Sequence, residues 1–320
     1  MNDKIENLLE ENRKFTPKTD LSQNANATSE WFDEANENRL EFWKKQALER
    51  ITWFKEPTEI LDSSNPPFFK WFKDGELNLS YNCLDRHLET DADRVAFYWE
   101  GEPGDTQQIT YQDLYERVCR LSNALKKLNV KKGDRVAIYL GMTPEIVVAM
   151  LACARIGAVH SVVFGGFSSE ALADRINDAK AKLVITADGA WRRGDIVPLK
   201  DNVDGSLELT EYIENVIVVK RTNQDIDMKQ GRDHWYHEIT EKEQSVCEPE
   251  IMNAEDMLYI LYTSGTTAKP KGIVHTQAGY LTGVTTTHSA VFDVKEDDIY
   301  WCAADCGWVC LLYTSPSPRD

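Results

Sequence analysis

The sequence has 320 residues, a length that suits either one large α/β unit or two to three smaller folded parts. Its 42% apolar and 28% charged residues exclude collagen-like, low-complexity and wholly disordered chains. The 36 basic and 53 acidic residues leave a net charge of −17, a field that repels phosphate backbones and anionic lipid heads, so no nucleic acid and no membrane is expected as a partner.

No window reaches the run of about 18 apolar residues that a spanning helix needs, and the opening MNDKIENLLEENRKF carries no signal-peptide core. With 7 cysteines, an odd number scattered along the chain, this predicts a reducing, cytoplasmic setting. The glycosylation-type sequons at Asn26 and Asn78 are then chance matches.

In chain order, residues 1–30 are polar and are expected to form an extended lead-in that leans on something else. From Trp31 to Ile51, the residues Phe32, Ala35, Leu40, Trp43, Ala47 and Ile51 recur at helical spacing, which predicts one amphipathic helix capped by Ser29. The stretch 51–80, rich in aromatics and proline, reads as irregular chain pressed onto a larger body. Its rings read as core, because too few basic residues interleave with them to make a nucleic-acid platform.

After Tyr81, short β-rich runs alternate with helix-length stretches. Strands are predicted at 94–99, 108–111, 135–140, 160–164, 182–186, 215–219, 257–262 and 299–303. Helices are predicted at 111–128, at 144–156 with Pro144 at its start, and at 168–177 with a serine cap. Apolar strands joined by helices imply an α/β class with mainly parallel sheets covered by helices, preceded by a helical and irregular N-terminal extension. No internal repeat is visible.

The most informative stretch is Tyr262-Thr263-Ser264-Gly265-Thr266-Thr267-Ala268-Lys269-Pro270-Lys271-Gly272, which follows the apolar run 257–261. Hydroxyls, small residues and two lysines make a loop of O–H and N–H donors beside positive charge, which suits a polyphosphate; the alternative is a mobile surface turn. It is not a Walker A loop, because Pro270 stands where the second glycine is required and Gly272 where a hydroxyl residue is required. Cys302, Cys306 and Cys310 recur every fourth residue, but the strand reading of 299–303 and the lack of an accompanying histidine make a metal site the minor reading. His234 and His237, in a polar loop, read as structural.

The loop resembles the signature of the AMP-forming acyl-adenylating superfamily, Y-T-S-G-[ST]-T-G-x-P-K-G, with Ala268 in place of a glycine. Where that position needs φ > 0, alanine costs strain of about 1 kcal/mol. Further blocks, Ala152 to Ser168, Asp174 to Asp178, Ile185 to Asp188 and Tyr300 to Val309, resemble the acetyl-CoA synthetases (acetate:CoA ligases, AMP-forming). The likeness runs from about Trp31 to Val309 and implies the large N-terminal domain of an acyl-adenylating enzyme, in incomplete form. The implied division is a lead-in at 1–30, an N-terminal synthetase segment at 31–85, the first part of the adenylation domain at 86–309 and a non-family tail at 310–320.

The resemblance implies that acetate attacks Mg-ATP to give acetyl-adenylate and pyrophosphate, after which coenzyme A displaces AMP. ATP, Mg2+ and coenzyme A are therefore the expected small molecules. Thr263, Ser264, Gly265, Thr266, Thr267, Lys269 and Lys271 are the candidates for the ATP phosphates, where positioning and charge neutralisation dominate. Arg192, Arg193 and Gly194 are candidates for CoA, with Gly165 and Gly166 beside its pantetheine arm. The family places a second basic residue where Asp195 stands, so Arg192 carries over best, and a solvated pair of arginines is the open alternative. Trp308 and Val309 are candidates for the acyl pocket, Val309 against the acetate methyl.

After Val309 the family pattern continues Thr-Gly-His-Ser-Tyr, whereas the sequence reads Cys310 to Asp320, a stretch expected from read-through of non-coding or adaptor sequence. The family's adenine segment, hinge aspartate and C-terminal lid with the adenylation lysine would lie beyond it. The 320-residue chain by itself is accordingly expected to be inactive and poorly soluble, with an open sheet edge at the runs 257–262 and 299–303. Propionate or another short acid as the substrate, and a non-catalytic CoA- or nucleotide-binding remnant, are the alternatives.

Overall fold

The computed structural model describes residues 14–263 and 269–307. The described part of the lead-in is not wholly extended, since Thr19–Asn24 forms a short exposed helix. It leans on the segment 289–295. The Asn26 backbone N–H donates to Asp293 Oδ1 at 2.7 Å, and Lys295 Nζ donates to Asn26 Oδ1 at 2.6 Å.

The helix expected over 31–51 is two helices, α1 (Ser29–Glu37) and α2 (Arg39–Arg50). Asn38 divides them: its backbone leaves the helical region at φ −149°, ψ 88°, and its side chain caps α2 by accepting the Glu41 N–H at 3.2 Å. Thr28 rather than Ser29 caps α1. Of the expected apolar face, Ala47 and Ile51 enter the core, but Phe32 stays 74% exposed because α1 has little to pack on beyond α2.

The runs near 94–99 and 108–111 become β1 (Val95–Glu100) and β2 (Thr106–Thr110), an antiparallel hairpin separate from the main sheet. Next, α3 (Tyr111–Lys127) starts on a capping box. Thr110 Oγ1 accepts the Asp113 N–H at 3.1 Å, the Asp113 carboxylate reaches back, and Leu114, Val118, Leu121 and Leu125 form the buried stripe.

The main sheet is built from β3 (Arg135–Ile138), β4 (Val159–Val162), β5 (Leu183–Ala187), β8 (Asn215–Val219), β9 (Asp233–Trp235), β10 (Met257–Thr263) and β11 (Lys271–Thr276). Between β5 and β8 lie β6 (Ala190–Arg192) and β7 (Asp195–Val197), a small antiparallel pair. The spatial order is β9-β8-β5-β3-β4-β10-β11, parallel throughout except for the antiparallel β10–β11 edge pair.

The helices α4 (Pro144–Arg155) and α5 (Ser169–Ala179) carry the chain from β3 to β4 and from β4 to β5. The first crossover moves one way from β3 and the second moves back past it, so right-handed connections put the two helices on opposite faces. That is why all of β5 is buried. The helix α6 (Leu199–Leu207) packs on α5, and α7 (Gln277–Ala290) packs on α2.

One buried ion pair ties the N-terminal segment to this body. Arg155, only 1% exposed, donates to both Asp85 carboxylate oxygens at 2.7 and 2.8 Å and lies over the Tyr115 ring.

The strand expected at 299–303 is absent. That segment is irregular, with Ile299 76% and Trp301 85% exposed, because no described strand pairs with it. Nor is β10 an open edge. It lies between β4 and β11, which buries Leu258 and Ile260, and the exposed edge is β11.

Candidate functional site

Winding reverses around β3, whose neighbours β4 and β5 follow it in sequence on either side. In open α/β sheets the crevice at such a reversal, outside the C-terminal strand ends, is where ligands bind. A cavity of about 270 Å3 lies there, lined by Leu140 to Thr143 after β3, Phe164 to Gly166 after β4 and Ala190 to Arg192 after β5.

Within it, Arg192, Gly165 and Gly166 are brought together. The Arg192 guanidinium lies over the Phe164 ring at 4.6 Å. A Cβ on Gly166 would fall 2.2 Å from Arg192 Nη1, so glycine leaves the room in which the arginine sits. A Cβ on Gly165 would approach the Leu140 carbonyl at 3.2 Å. Arg193 and Gly194 do not line the cavity. At φ 55° and 84° they make the turn between β6 and β7, in which Arg192 pairs with Asp195.

The opposite wall comes from residues that no sequence pattern had singled out. Trp99, Glu100, Gly101 and Glu102 of the β1–β2 hairpin line it, with Arg221 just beyond the C-terminal end of β8. Asp305 closes another side. Burial raises its carboxyl above the ordinary range, against the opposing pull of the Gly307 N–H and of Arg192. Phe164 and Asp305 sit inside the blocks that carry the family resemblance, and Arg221 obeys the strand-end rule, but Trp99 had no signal beyond its place near the end of a strand.

The phosphate-loop candidates leave the same edge of the sheet one strand further along. Thr263 ends β10, whose neighbour β4 carries the glycine pair, and the chain returns at Lys271 of β11, which pairs with Thr263. Lys269 and Lys271 are exposed. Ser264, Gly265, Thr266 and Thr267, with Ala268, lie outside the described residues, as do Trp308, Val309 and Cys310. The start of the loop is anchored from below: Tyr262 Oη donates to Asp178 Oδ2 at 2.6 Å, and the Arg175 guanidinium packs over the Phe167 ring at 4.3 Å and the Tyr262 ring at 5.6 Å. The block Asp174 to Asp178 thus holds the loop's root.

Among the described residues, no group of three or more His, Cys, Asp and Glu side chains could hold a metal ion, and no helix is long and apolar enough to cross a membrane. His234 lies not in a loop but on the edge strand β9, and its Nε2 is 3.0 Å from Asn215 Oδ1 of the neighbouring strand β8.

Fold and site define a doubly wound α/β protein with a cavity at its switch point and, one strand further along, the strand end from which the hydroxyl- and lysine-rich stretch leaves. Residues 84–315 match the family described as AMP-binding enzyme, and residues 18–83 match the acetyl-coenzyme A synthetase N-terminus. The chain belongs to the AMP-binding enzyme family. It is similar to the acetyl-coenzyme A synthetase of Streptomyces avermitilis, 59% identical over 310 residues that cover 96% of this chain and 47% of the relative. The synthetase of Streptomyces coelicolor is 57% identical over 310 residues, 96% of this chain and 48% of the relative, and that of Pasteurella multocida 54% over 308 residues, 94% and 47%. The chain spans about half the length of the curated relatives it matches.

Proposed function

We propose that this chain supplies the ATP-phosphate loop and the CoA-side cavity of an AMP-forming acetate:CoA ligase. The observation that carries the reading is the placement of both features on adjacent strand ends. The Arg192–Gly166 cavity follows β4 and β5, and the loop rooted at Thr263 follows β10.

In the first step an acetate oxygen attacks the α-phosphorus of ATP, the bond to the bridging oxygen breaks, and pyrophosphate leaves. Acetate is already an anion at neutral pH, so no residue need act as base. The chain's part is to hold the leaving phosphates with Thr263, Ser264, Gly265, Thr266, Thr267, Lys269 and Lys271, while Mg2+ enters as part of the ATP complex. In the second step the CoA sulfur attacks the acyl carbon, the bond to AMP breaks, and the thiol proton is released. Arg192 is assigned to CoA phosphate, Gly165 and Gly166 to clearance for the pantetheine arm, and Trp308 and Val309 to the acyl pocket. The cytoplasm is the proposed compartment, since every described cysteine is a free thiol.

The test is acid-dependent return of labelled pyrophosphate into ATP, measured on the chain extended to the length of its relatives. Acetate is expected to support exchange better than propionate, Lys271→Ala to weaken ATP use, and Arg192→Ala to raise the CoA requirement with exchange intact. Preference for propionate overturns the acetate assignment. An Arg192→Ala variant equally impaired in exchange overturns the CoA assignment.

A further inference from the structure

The β1–β2 hairpin forms one wall of the cavity yet shares no backbone ladder with the main sheet, so side chains hold it in place. Ile109 of β2, fully buried in the core, fixes the base of the hairpin, and Arg221 clasps its outer end. Its guanidinium grips both Asp105 oxygens at 2.7 and 3.0 Å and lies over the Trp99 ring at 5.1 Å. Trp99 Nε1 in turn donates to the Met142 carbonyl at 2.8 Å, beyond the end of β3. Room for this clasp exists only because residue 101 is glycine: a Cβ there would fall 2.2 Å from Asp105 Oδ1, 2.6 Å from Arg221 Nη2 and 2.7 Å from the Trp99 ring.

The backbone of Arg221 is itself fixed. Asp188, 1% exposed at the end of β5, accepts through Oδ1 the N–H groups of Gly189, Arg221 and Thr222 at 2.8, 2.7 and 2.9 Å, which ties the β5 and β8 ends together. The hairpin also reaches across the cavity, for Glu102 accepts the Gly194 N–H in the turn that follows Arg192. Displacing the hairpin therefore disturbs the Arg192 wall as well as its own.

We infer that Arg221 is a positioning residue for the cavity: clasped to Asp105 and Trp99, it sets the distance between the hairpin wall and Arg192, and so the fit of the phosphorylated ligand that Arg192 holds. The inference rests on the reading of this cavity as a CoA site. Arg221 is mostly buried, with 18% of its side chain exposed and Asp105 at 45%, so Asp105→Asn loosens the clasp at a site that tolerates substitution.

The experiment is a calorimetric titration with CoA of the chain extended to the length of its relatives, with thermal midpoints measured in parallel. Arg221→Gln and Asp105→Asn are each expected to weaken CoA about tenfold, and the double variant no more than either alone, as for one coupled unit. Arg221→Lys, which keeps the charge but loses the fork and the stack, is expected to fall between. Should Arg221→Gln fail to fold, Asp105→Asn carries the same comparison. CoA affinity unchanged in Asp105→Asn and Arg221→Gln while Arg192→Ala weakens it overturns the positioning role and leaves the CoA reading standing. A lower midpoint with unchanged affinity likewise assigns Arg221 to stability alone and overturns the role. Absence of CoA binding by the parent chain overturns the CoA reading and the role that rests on it.

Discussion

His160 stands in the middle of the sheet with its ring stacked on Tyr259 at 5.6 Å, and Tyr259 continues the stack to His275 at 4.6 Å. Burial, with no hydrogen-bond partner for Nδ1 among the described residues, depresses its pKa to about 4 from the ordinary 6.5. As pH falls below about 6.5 the unfolded chain takes up the proton first, so stability is lost progressively until about pH 4, by an amount on the order of 3 kcal/mol. Burial pushes His87, His275 and His288 in the same direction. Urea midpoints between pH 7 and 4.5 are expected to fall, and to fall less for His160→Asn. An equal decline in both proteins would remove His160 as a cause. Nothing in the sequence marked this histidine, because its titration depends on what β10 lays against it and on no neighbour in the chain.

At the scale of elements, local signals decided most of what formed. The capping box of α3, Pro144 at the first turn of α4 and Ser168 before α5 each satisfy or remove orphan N–H groups within a few residues, so they act wherever the segment ends up. Thr110 also closes β2, so its cap fixes the turn from hairpin to helix. Thr110→Ala is expected to lower stability by about 1 kcal/mol, seen as a reduced urea midpoint at constant slope, and Thr110→Ser to restore it. An unchanged midpoint for the alanine variant would mean that the cap contributes nothing. The failures at this scale have the same origin. Asn38 broke a helix whose apolar spacing ran on through it, because an Asx cap outcompetes continuation there, and 299–303 had strand composition without a strand to pair with.

For the molecule as a whole, the sheet's last strand is its exposed weakness. The strand β11 leaves Ile273 42% and Val274 47% exposed at an edge that no described strand pairs with, and Val291, Phe292, Ile299, Tyr300 and Trp301 add apolar surface. An edge of this kind templates pairing with another chain, and one inserted charge is a known deterrent. Light scattering at rising concentration is expected to show self-association of the 320-residue chain, reduced in Ile273→Lys. The same growth in both would place the association elsewhere.

The sequence by itself determined the class of fold, the chain order of the strands β3, β4, β5, β8 and β10 and the hydroxyl- and lysine-rich stretch that follows β10, since these rest on periodicity, caps and spacing within a few residues, whereas the short edge strands β9 and β11 were not legible in it. It also determined the family, because Gly165, Gly166, Arg192 and the Thr263–Lys271 loop stand in linear patterns. Only the tertiary structure decided which strand ends meet at the switch point and what walls the cavity. Arg221 grips Asp105 across 116 positions and Trp99 reaches Met142 across 43, so neither pairing leaves a periodic trace in the chain. Such contacts arise when β3 takes its place between β4 and β5 and the separate hairpin settles on their ends, held by side-chain geometry that exists only once the sheet has assembled.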